Sequence, residues 1–479
     1  MDNVVSVKLK CGEGKSMVKA SELPVPMPDG TVYSPRRNCC PFSVPPLQAY
    51  ARIVGEERME RLVQAARRLE GLKLLELNAT AQGGGVAEML YSAVPFTNHL
   101  GIEDEWGIIR GSPDFFKCTK RLHNLLQGMS DDLSSDVVET YCTTIEKCIS
   151  DCLLLDEHPD IVLVHDPQPA GLGHYLKQPA QTWVWRCHID IEQETLDRNP
   201  HLRDFMNDWL EHYDAAVFTA SHYVITYWRL PKFIIPPFID PLSEKTRELT
   251  HAEIEEVLDK YHIDSKDPMI VQVGRFDPWK GLDRTIATFR HVRKARKCQL
   301  VLAGGMASDD PQGQEILANI LEETKRDADI HVLNLAVDDR LQNWREVNAL
   351  QRAANVIMQP STKEGFGLVI TEALWKAKPV ITADVGGIPL QVRDGETGYF
   401  YSAPEPAAEL VIYLLDHPEV ARQVGERGKQ YVGEHFLMPD RIADWLMAVD
   451  ILINGQLPGE SYTECIISFH PWFKLQKRS

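Results

Sequence analysis

The sequence is short of positive charge: 51 lysines and arginines stand against 69 aspartates and glutamates, for a net charge of −18. Binding a phosphate backbone needs a concentrated basic face, so nucleic acid is excluded as a partner. The excess acid reads as a soluble, self-repelling surface. No run approaches the ~20 uninterrupted apolar residues of a membrane helix, which excludes a spanning segment. The opening MDNVVSVKLKCGEGKSMVKA has no apolar core of a secretory signal. The ten cysteines include no C-x-x-C pair, which predicts reduced thiols and a cytoplasmic location. Cys142, Cys148 and Cys152 fall on a helical stretch and read as small buried apolar groups in preference to a metal site. No repeat of 20–50 residues is present. Two nucleotide signatures also fail. GEGKS has Leu9 where a P-loop needs its first glycine, and Gly83-x-Gly85 has Glu88 where a dinucleotide fingerprint needs its third small residue.

What is present is a long globular chain. At 479 residues, with 44% hydrophobic and 25% charged residues, it exceeds one ordinary core of ~100–200 residues. Residues 1–46 are Pro-rich and weakly periodic, an arm on a neighbouring domain. From Leu72 short apolar strands alternate with amphipathic helices: LKLLELNAT, EWGIIR, IVLVHD, TWVWRCH, AAVFTA and KFIIPP. After the proline-bounded connection PPFIDPLSEKTRELTHAE a second series follows: MIVQVGR, CQLVLAGG, IHVLNL, NVIMQPS and PVITAD. The alternation predicts an α/β protein of two doubly wound, Rossmann-like domains, residues 47–250 and 251–435. A C-terminal helix and tail, 436–479, is expected to pack back on the first. Open α/β sheets bind ligands at strand C-terminal ends, so two such sheets can face each other across a cleft.

The chemistry collects at strand ends. NVIMQPS, TKEGFG and LVITEALWKA read as strand, tight loop and helix, an anion site built from free amides and the positive end of a helix dipole. Gly365 and Gly367 allow close backbone approach. Glu364 stands at the mouth of the helix, suited to sugar hydroxyls, and Glu372 lies about a turn inside, suited to a ribose. In VQVGRFDPWKG, Arg275 and Lys280 follow another strand, where two cations can meet the charge that develops on a leaving diphosphate. His165, Asp166, Arg186, His188 and Asp190 end two strands of the first series, a mixture of donors and acceptors suited to a polyhydroxylated acceptor. Metal binding by His188 and Asp190 is the weaker reading. Asp327-Ala-Asp329 has the form of a metal–diphosphate D-x-D but reads as a solvated turn.

Together these stretches resemble the retaining GT-B glycosyltransferases, the group of sucrose and glycogen synthases. The E-x7-E pair in EGFGLVITEA, the GRFDPWKG loop and the QGGGVAE loop carry the likeness. VHDPQPA, WRCHIDI, PPFIDPLSEK and MASDDPQG narrow it to the trehalose glycosyltransferring synthases and their relatives, the retaining trehalose phosphorylases, over about residues 50–450. The resemblance implies a GT-B fold and a nucleoside-diphosphate glucose donor such as UDP-glucose or ADP-glucose. It implies transfer to free glucose to give α,α-trehalose, reversibly, by a homodimer whose partners are small sugars. It implies no metal site and no required cofactor, with Mg2+ stimulation at most. Arg275 and Lys280 would clamp the diphosphate beside Gly274 and the amides of Gly365, Phe366, Gly367 and Leu368. Glu364 would hold the transferred glucose and Glu372 the ribose. Gly84 and Gly85 would approach the donor from the other domain. His188 would lie near the reacting sugar, with Asp166, Gln168, Arg186 and Asp190 around the acceptor. Alternatives are trehalose phosphorolysis and an idle sugar- or nucleotide-binding protein. An NAD-dependent oxidoreductase fails at Glu88.

Overall fold

The computed structural model describes residues 4–5, 44–80, 84–109, 111–129, 132–150, 158–305, 313–336, 339–455 and 466–470. The GEGKS stretch, most of the Pro-rich start, Gly83, Cys152, residues 306–312 of MASDDPQG and the tail beyond His470 lie outside them. The side chain of Cys148 is likewise undescribed, whereas Cys142 is a half-buried free thiol.

Contacts divide the chain into two compact units. One runs up to Pro237 and resumes at Met438; the other is Phe238–Leu437. The first unit contains β1 (Val4–Val5), β2 (Lys73–Asn78), β3 (Glu103–Ile109), β4 (Ile161–His165), β5 (Thr182–Cys187), β6 (Ala215–Phe218) and β7 (Lys232–Ile234). The second contains β8 (Met269–Val273), β9 (Gln299–Gly304), β10 (Ile330–Asn334), β11 (Val356–Gln359), β12 (Val380–Thr382) and β13 (Tyr399–Phe400). β14 (Ile466–Ser468) returns to the first sheet, parallel to β7.

The strand order is β1-β3-β2-β4-β5-β6-β7-β14 in one sheet and β10-β9-β8-β11-β12-β13 in the other. All described pairings are parallel except that of β1 with β3. Strands buried on both faces run mostly apolar, as β4 (IVLVH) and β9 (QLVLAG) do, with their polar residues His165 and Gln299 at one end. In the second unit Ile270, Leu300, Leu302, Val356 and Met358 pack with Ile286, Phe289 and Val292 from the helix Leu282–Arg293. Val411 and Leu414 from the helix Pro404–Asp416 join them. Each sheet has a switch point where the strand order reverses, between β2 and β4 and between β8 and β11. A doubly wound sheet opens a ligand crevice there, outside the strand C-termini.

Two features depart from the sequence expectation. Residues 238–250, assigned to the first domain from sequence, group with the second unit. Asn348 donates to the carbonyls of Glu244 and Arg247 at 2.9 Å each, and Arg352 donates to those of Thr246 and Arg247, which staples the segment to the helix Arg340–Ala353. The Asp327/Asp329 turn is not merely solvated. Arg290 donates to Asp327 at 2.8 Å and Arg293 pairs with Asp329. The helix Met438–Asn454 packs on the helix Glu56–Arg67 of the first unit through Arg58–Asp440 and Arg61–Asp444, the latter at 2.6 Å. No helix among the described residues is long and apolar enough to cross a membrane.

Candidate active site

In the second unit the loops that leave β8 and β11, the two strands at the switch point, carry the predicted donor residues. The β8 loop turns through a short 3-10 helix, Pro278–Lys280, capped by the Asp277 carboxylate, which accepts from the Trp279 amide at 2.9 Å. Gly281 follows at φ +64°, and a Cβ there would sit 2.3 Å from the Pro360 carbonyl oxygen. The chain can therefore pass beneath the β11 loop only without a side chain. Thr362 N–H donates to the Trp279 carbonyl at 2.7 Å, fixing one loop to the other. Gly274 is crowded in turn by β9, where a Cβ on Gly304 would meet the Gly274 oxygen at 1.9 Å.

This scaffold places Lys280 Nζ 2.6 Å from Glu364 Oε2, both side chains mostly buried. Ser361 Oγ lies 3.4 Å from the same carboxylate oxygen, and Gln359 Nε2 donates to Ser361 at 3.2 Å. Arg275 is about one-third exposed and lies 3.6 Å from Asp277. Gly367, at φ +87°, caps the helix Leu368–Trp375. The first-turn amides of that helix have no partners within it, leaving a partial positive charge at its mouth. The Phe366 ring turns inward against Phe436, with centroids 5.4 Å apart, so only its backbone remains to face a ligand. Its carbonyl accepts from Gln391, which Thr371 also engages at 2.5 Å. A Cβ on Gly387 would meet the Gly365 oxygen at 2.4 Å, so a third loop braces the glycine bend.

Glu372 is not at the helix mouth. It is 2% exposed and pairs with Lys245 Nζ at 2.9 Å. Lys376, one turn on, donates to Gln351 at 2.6 Å, and burial lowers its pKa to about 7 against the opposing pull of Glu372. Sequence reading gave Lys245 no role, because an isolated lysine in a polar linker has no pattern to mark it.

In the first unit the switch-point strands are β2 and β4. β2 leads to Gly84 and to Gly85, the first residue of the helix Gly85–His99. Nothing among the described residues lies within 4 Å of a Cβ built on Gly84, so none of them requires that glycine. β4 ends in His165, followed by Asp166 at φ +64°, a left-handed conformation uncommon for any residue but glycine. Asp166 Oδ1 accepts from the His188 amide at 2.8 Å, and the Asp166 amide donates to the Arg186 carbonyl at 2.9 Å. Burial raises the Asp166 carboxyl to about 7, opposed by the His188 amide and by Arg186. Burial likewise lowers Arg186 to about 10, opposed by Glu76 and Asp166. Asp190 is buried and accepts from Gln127, and Gln168 Oε1 is buried without a protein hydrogen-bond partner.

His188 and His165 are joined, Nε2 to Nδ1, at 2.9 Å, and His165 Nε2 lies 2.7 Å from Glu76 Oε2. Burial, then Arg186 and His165, hold His188 well below the usual imidazole range. Burial lowers His165 too, partly offset by Glu76. Glu76, 4% exposed in the middle of β2, was missed from sequence; the signal was a lone carboxylate inside the otherwise apolar run LKLLELN. No group of three or more His, Cys, Asp or Glu side chains among the described residues has the arrangement of a metal site.

Comparison with known proteins fits this layout. Residues 76–225 match the family model described as "Trehalose synthase, N-terminal domain", and residues 253–431 match "Glycosyl transferases group 1". The chain is 41% identical over 403 residues to a trehalose synthase of Pyrococcus horikoshii, covering 84% of this chain and 95% of that one. To a trehalose phosphorylase of Grifola frondosa it is 26% identical over 457 residues, covering 85% of this chain and 61% of that one. An α,α-trehalose-phosphate synthase (UDP-forming) from Burkholderia xenovorans superposes with a TM-score of 0.63 at 15% identity, over 79% of this chain and 99% of that one. The likeness at that identity is one of fold, the two-sheet GT-B architecture.

Proposed function

Because the chain belongs to the trehalose synthase family of group 1 glycosyltransferases, we propose that it moves a glucosyl group from a nucleoside-diphosphate glucose to free glucose, giving trehalose and the nucleoside diphosphate. The observation that carries the donor assignment is the Lys280–Glu364 contact at the mouth of the helix Leu368–Trp375, with Arg275 on the loop beside it. A lysine, an arginine and the positive end of a helix meet where a diphosphate would sit, and a carboxylate within reach of the lysine suits sugar hydroxyls.

In this reading the C1–O bond to the diphosphate breaks and its electron pair leaves with the phosphate oxygen. Arg275 and Lys280 neutralise the charge gathering there, an interaction stronger in the transition state than with intact donor. The acceptor hydroxyl oxygen bonds to C1 from the face the diphosphate leaves, and its proton passes to the departing phosphate oxygen. Glu364 then serves to orient the glucose, not as a covalent nucleophile. Glu372 reaches a ribose only by giving up part of its pairing with Lys245. In the first unit, His188, Asp166 and Gln168 address sugar hydroxyls, while the buried Arg186 and Asp190 hold that layer in place. Gly84 and Gly85 leave room for the donor.

Phosphorolysis of trehalose is the second reading, supported by the fungal phosphorylase but at lower identity and over a smaller share of that protein. Incubating the protein with trehalose plus either UDP, ADP or inorganic phosphate separates the two. Sugar nucleotide formed only with the nucleotide is expected; glucose 1-phosphate formed only with phosphate would replace the proposal by the second reading.

A further inference from the structure

The Glu76–His165–His188 chain has a direction. With the Glu76 carboxylate as the acceptor of the 2.7 Å contact, the shared proton sits on His165 Nε2. A neutral ring then leaves Nδ1 of His165 bare, and the 2.9 Å contact must be filled by a proton on His188 Nε2. If His188 is neutral as well, its Nδ1 is a bare acceptor. Both rings are pushed toward the neutral form by burial. The rings lie within 20° of parallel, and the His188 amide is tied to Asp166, so the geometry is held from two sides.

We propose that Glu76 is a positioning residue which, through His165, fixes His188 in its Nε2–H tautomer and leaves Nδ1 to accept a hydrogen bond from a sugar hydroxyl. The hydroxyl part of this inference rests on the functional reading above; the tautomer part rests on the three side chains alone. A merely structural polar chain would satisfy a buried carboxylate in the same way. It would give His188 no preference that matters to transfer. The tautomer matters because a ring of the opposite tautomer would point an N–H at the same hydroxyl, which would then have to turn its own proton elsewhere.

The test uses full-length protein labelled with 15N-histidine, reading the ring nitrogens of His188 without substrate and measuring transfer kinetics alongside. The expected result is a protonated Nε2 and bare Nδ1 in the unaltered protein. In Glu76→Gln, whose amide can either donate or accept, a mixture of tautomers is expected together with a roughly tenfold or greater fall in kcat/KM. In a His165→Asn background, adding Glu76→Gln should change neither readout further, since the relay is already cut. Should Glu76→Gln not fold, His165→Asn severs the same chain and is read in the same way. A His188 tautomer unmoved by either substitution, or a proton found on Nδ1 at the outset, overturns the relay. A tautomer that shifts while transfer is unchanged overturns the hydroxyl contact and removes His188 from the sugar, with the relay left standing.

Discussion

Lys280 and Glu364 are 84 residues apart in sequence, yet Nζ and Oε2 meet at 2.6 Å. The contact joins the loops after β8 and β11, the two neighbouring strands at which the order of the second sheet reverses. In the absence of donor, the two groups neutralise each other, so neither stands as an isolated charge in a mostly buried site. A bound diphosphate would draw on the lysine and free the carboxylate for hydroxyls. Lys280→Ala is therefore expected to lower kcat by roughly 100- to 1,000-fold, the range for removing one group that stabilises developing charge. Donor affinity should fall much less. Pre-steady-state turnover and equilibrium titration with the sugar nucleotide check this; equal losses in both would contradict a transition-state role.

Glu372 poses a problem of stability first. With Lys245 at 2.9 Å and both side chains nearly inaccessible, removing one partner strands a buried charge, at a cost of about 3–5 kcal/mol. Lys245→Ala should thus lower the unfolding free energy by about that much, read by denaturant melts. Lys245→Met combined with Glu372→Gln should cost less, because neither member of the pair is left charged without the other and the buried Lys376, relieved of Glu372, moves further toward its neutral form. If the single and double variants are equally unstable, the pair is not coupled as the distance implies.

Much of the fold could be read from the sequence, because parallel strands buried on both faces, such as VIMQ and IVLVH, are apolar runs broken only at their ends. The edge strands Tyr399–Phe400 and Ile466–Ser468 could not, since two or three residues carry no period. Arg275, Lys280 and Glu364 stood out because their residue types suit a leaving diphosphate and sit at strand ends. Their mutual arrangement was hidden, since which strands are neighbours is fixed by topology and not by local pattern. The roles of Glu76 and Lys245 were hidden for the same reason: each acts through a partner far away in the chain, although the lone carboxylate in LKLLELN was itself a signal. Glu372 was legible as a motif residue, but its burial against Lys245 depends on a segment that sequence assigned to the other domain.

The glycine bend offers a steric test. A methyl group at position 387 would approach the Gly365 carbonyl oxygen to 2.4 Å, far inside contact distance, and the neighbour is backbone that cannot swing aside. Gly387→Ala is expected to displace the Glu364–Gly367 loop, raising the donor KM about tenfold or more, with about 1–3 kcal/mol of lost stability from overpacking. Gly84→Ala is the contrast, because no atom of the described residues lies near its Cβ. It should leave stability within about 0.5 kcal/mol, as expected for open positions. Any loss of transfer it causes would then report on ligand approach alone.

Asp166 should leave a signature in the pH dependence of stability. Its carboxyl is raised from 3.8 to about 7, chiefly by burial, so between those values the folded chain holds a proton that the unfolded chain has released. Stability then falls as pH rises through this window and levels off above about 7, because proton binding favours the folded state only while the unfolded carboxyl is ionised. His165 and His188 act in the opposite sense. Their lowered values mean that the unfolded chain binds the protons, so their contribution makes stability rise with pH up to the ordinary imidazole range near 6.5. The unaltered protein reports the sum of the two trends, and Asp166→Asn isolates the first by removing the titrating carboxyl while keeping an oxygen to accept the His188 amide. Measured by denaturant melts from pH 4.5 to 8, the unaltered protein should lose stability relative to Asp166→Asn as pH rises to about 7, by of order 1 kcal/mol per pH unit at most. Above pH 7 the two curves should run parallel. Curves that are parallel throughout would mean that Asp166 is ionised across the range, with Arg186 and the His188 amide outweighing burial.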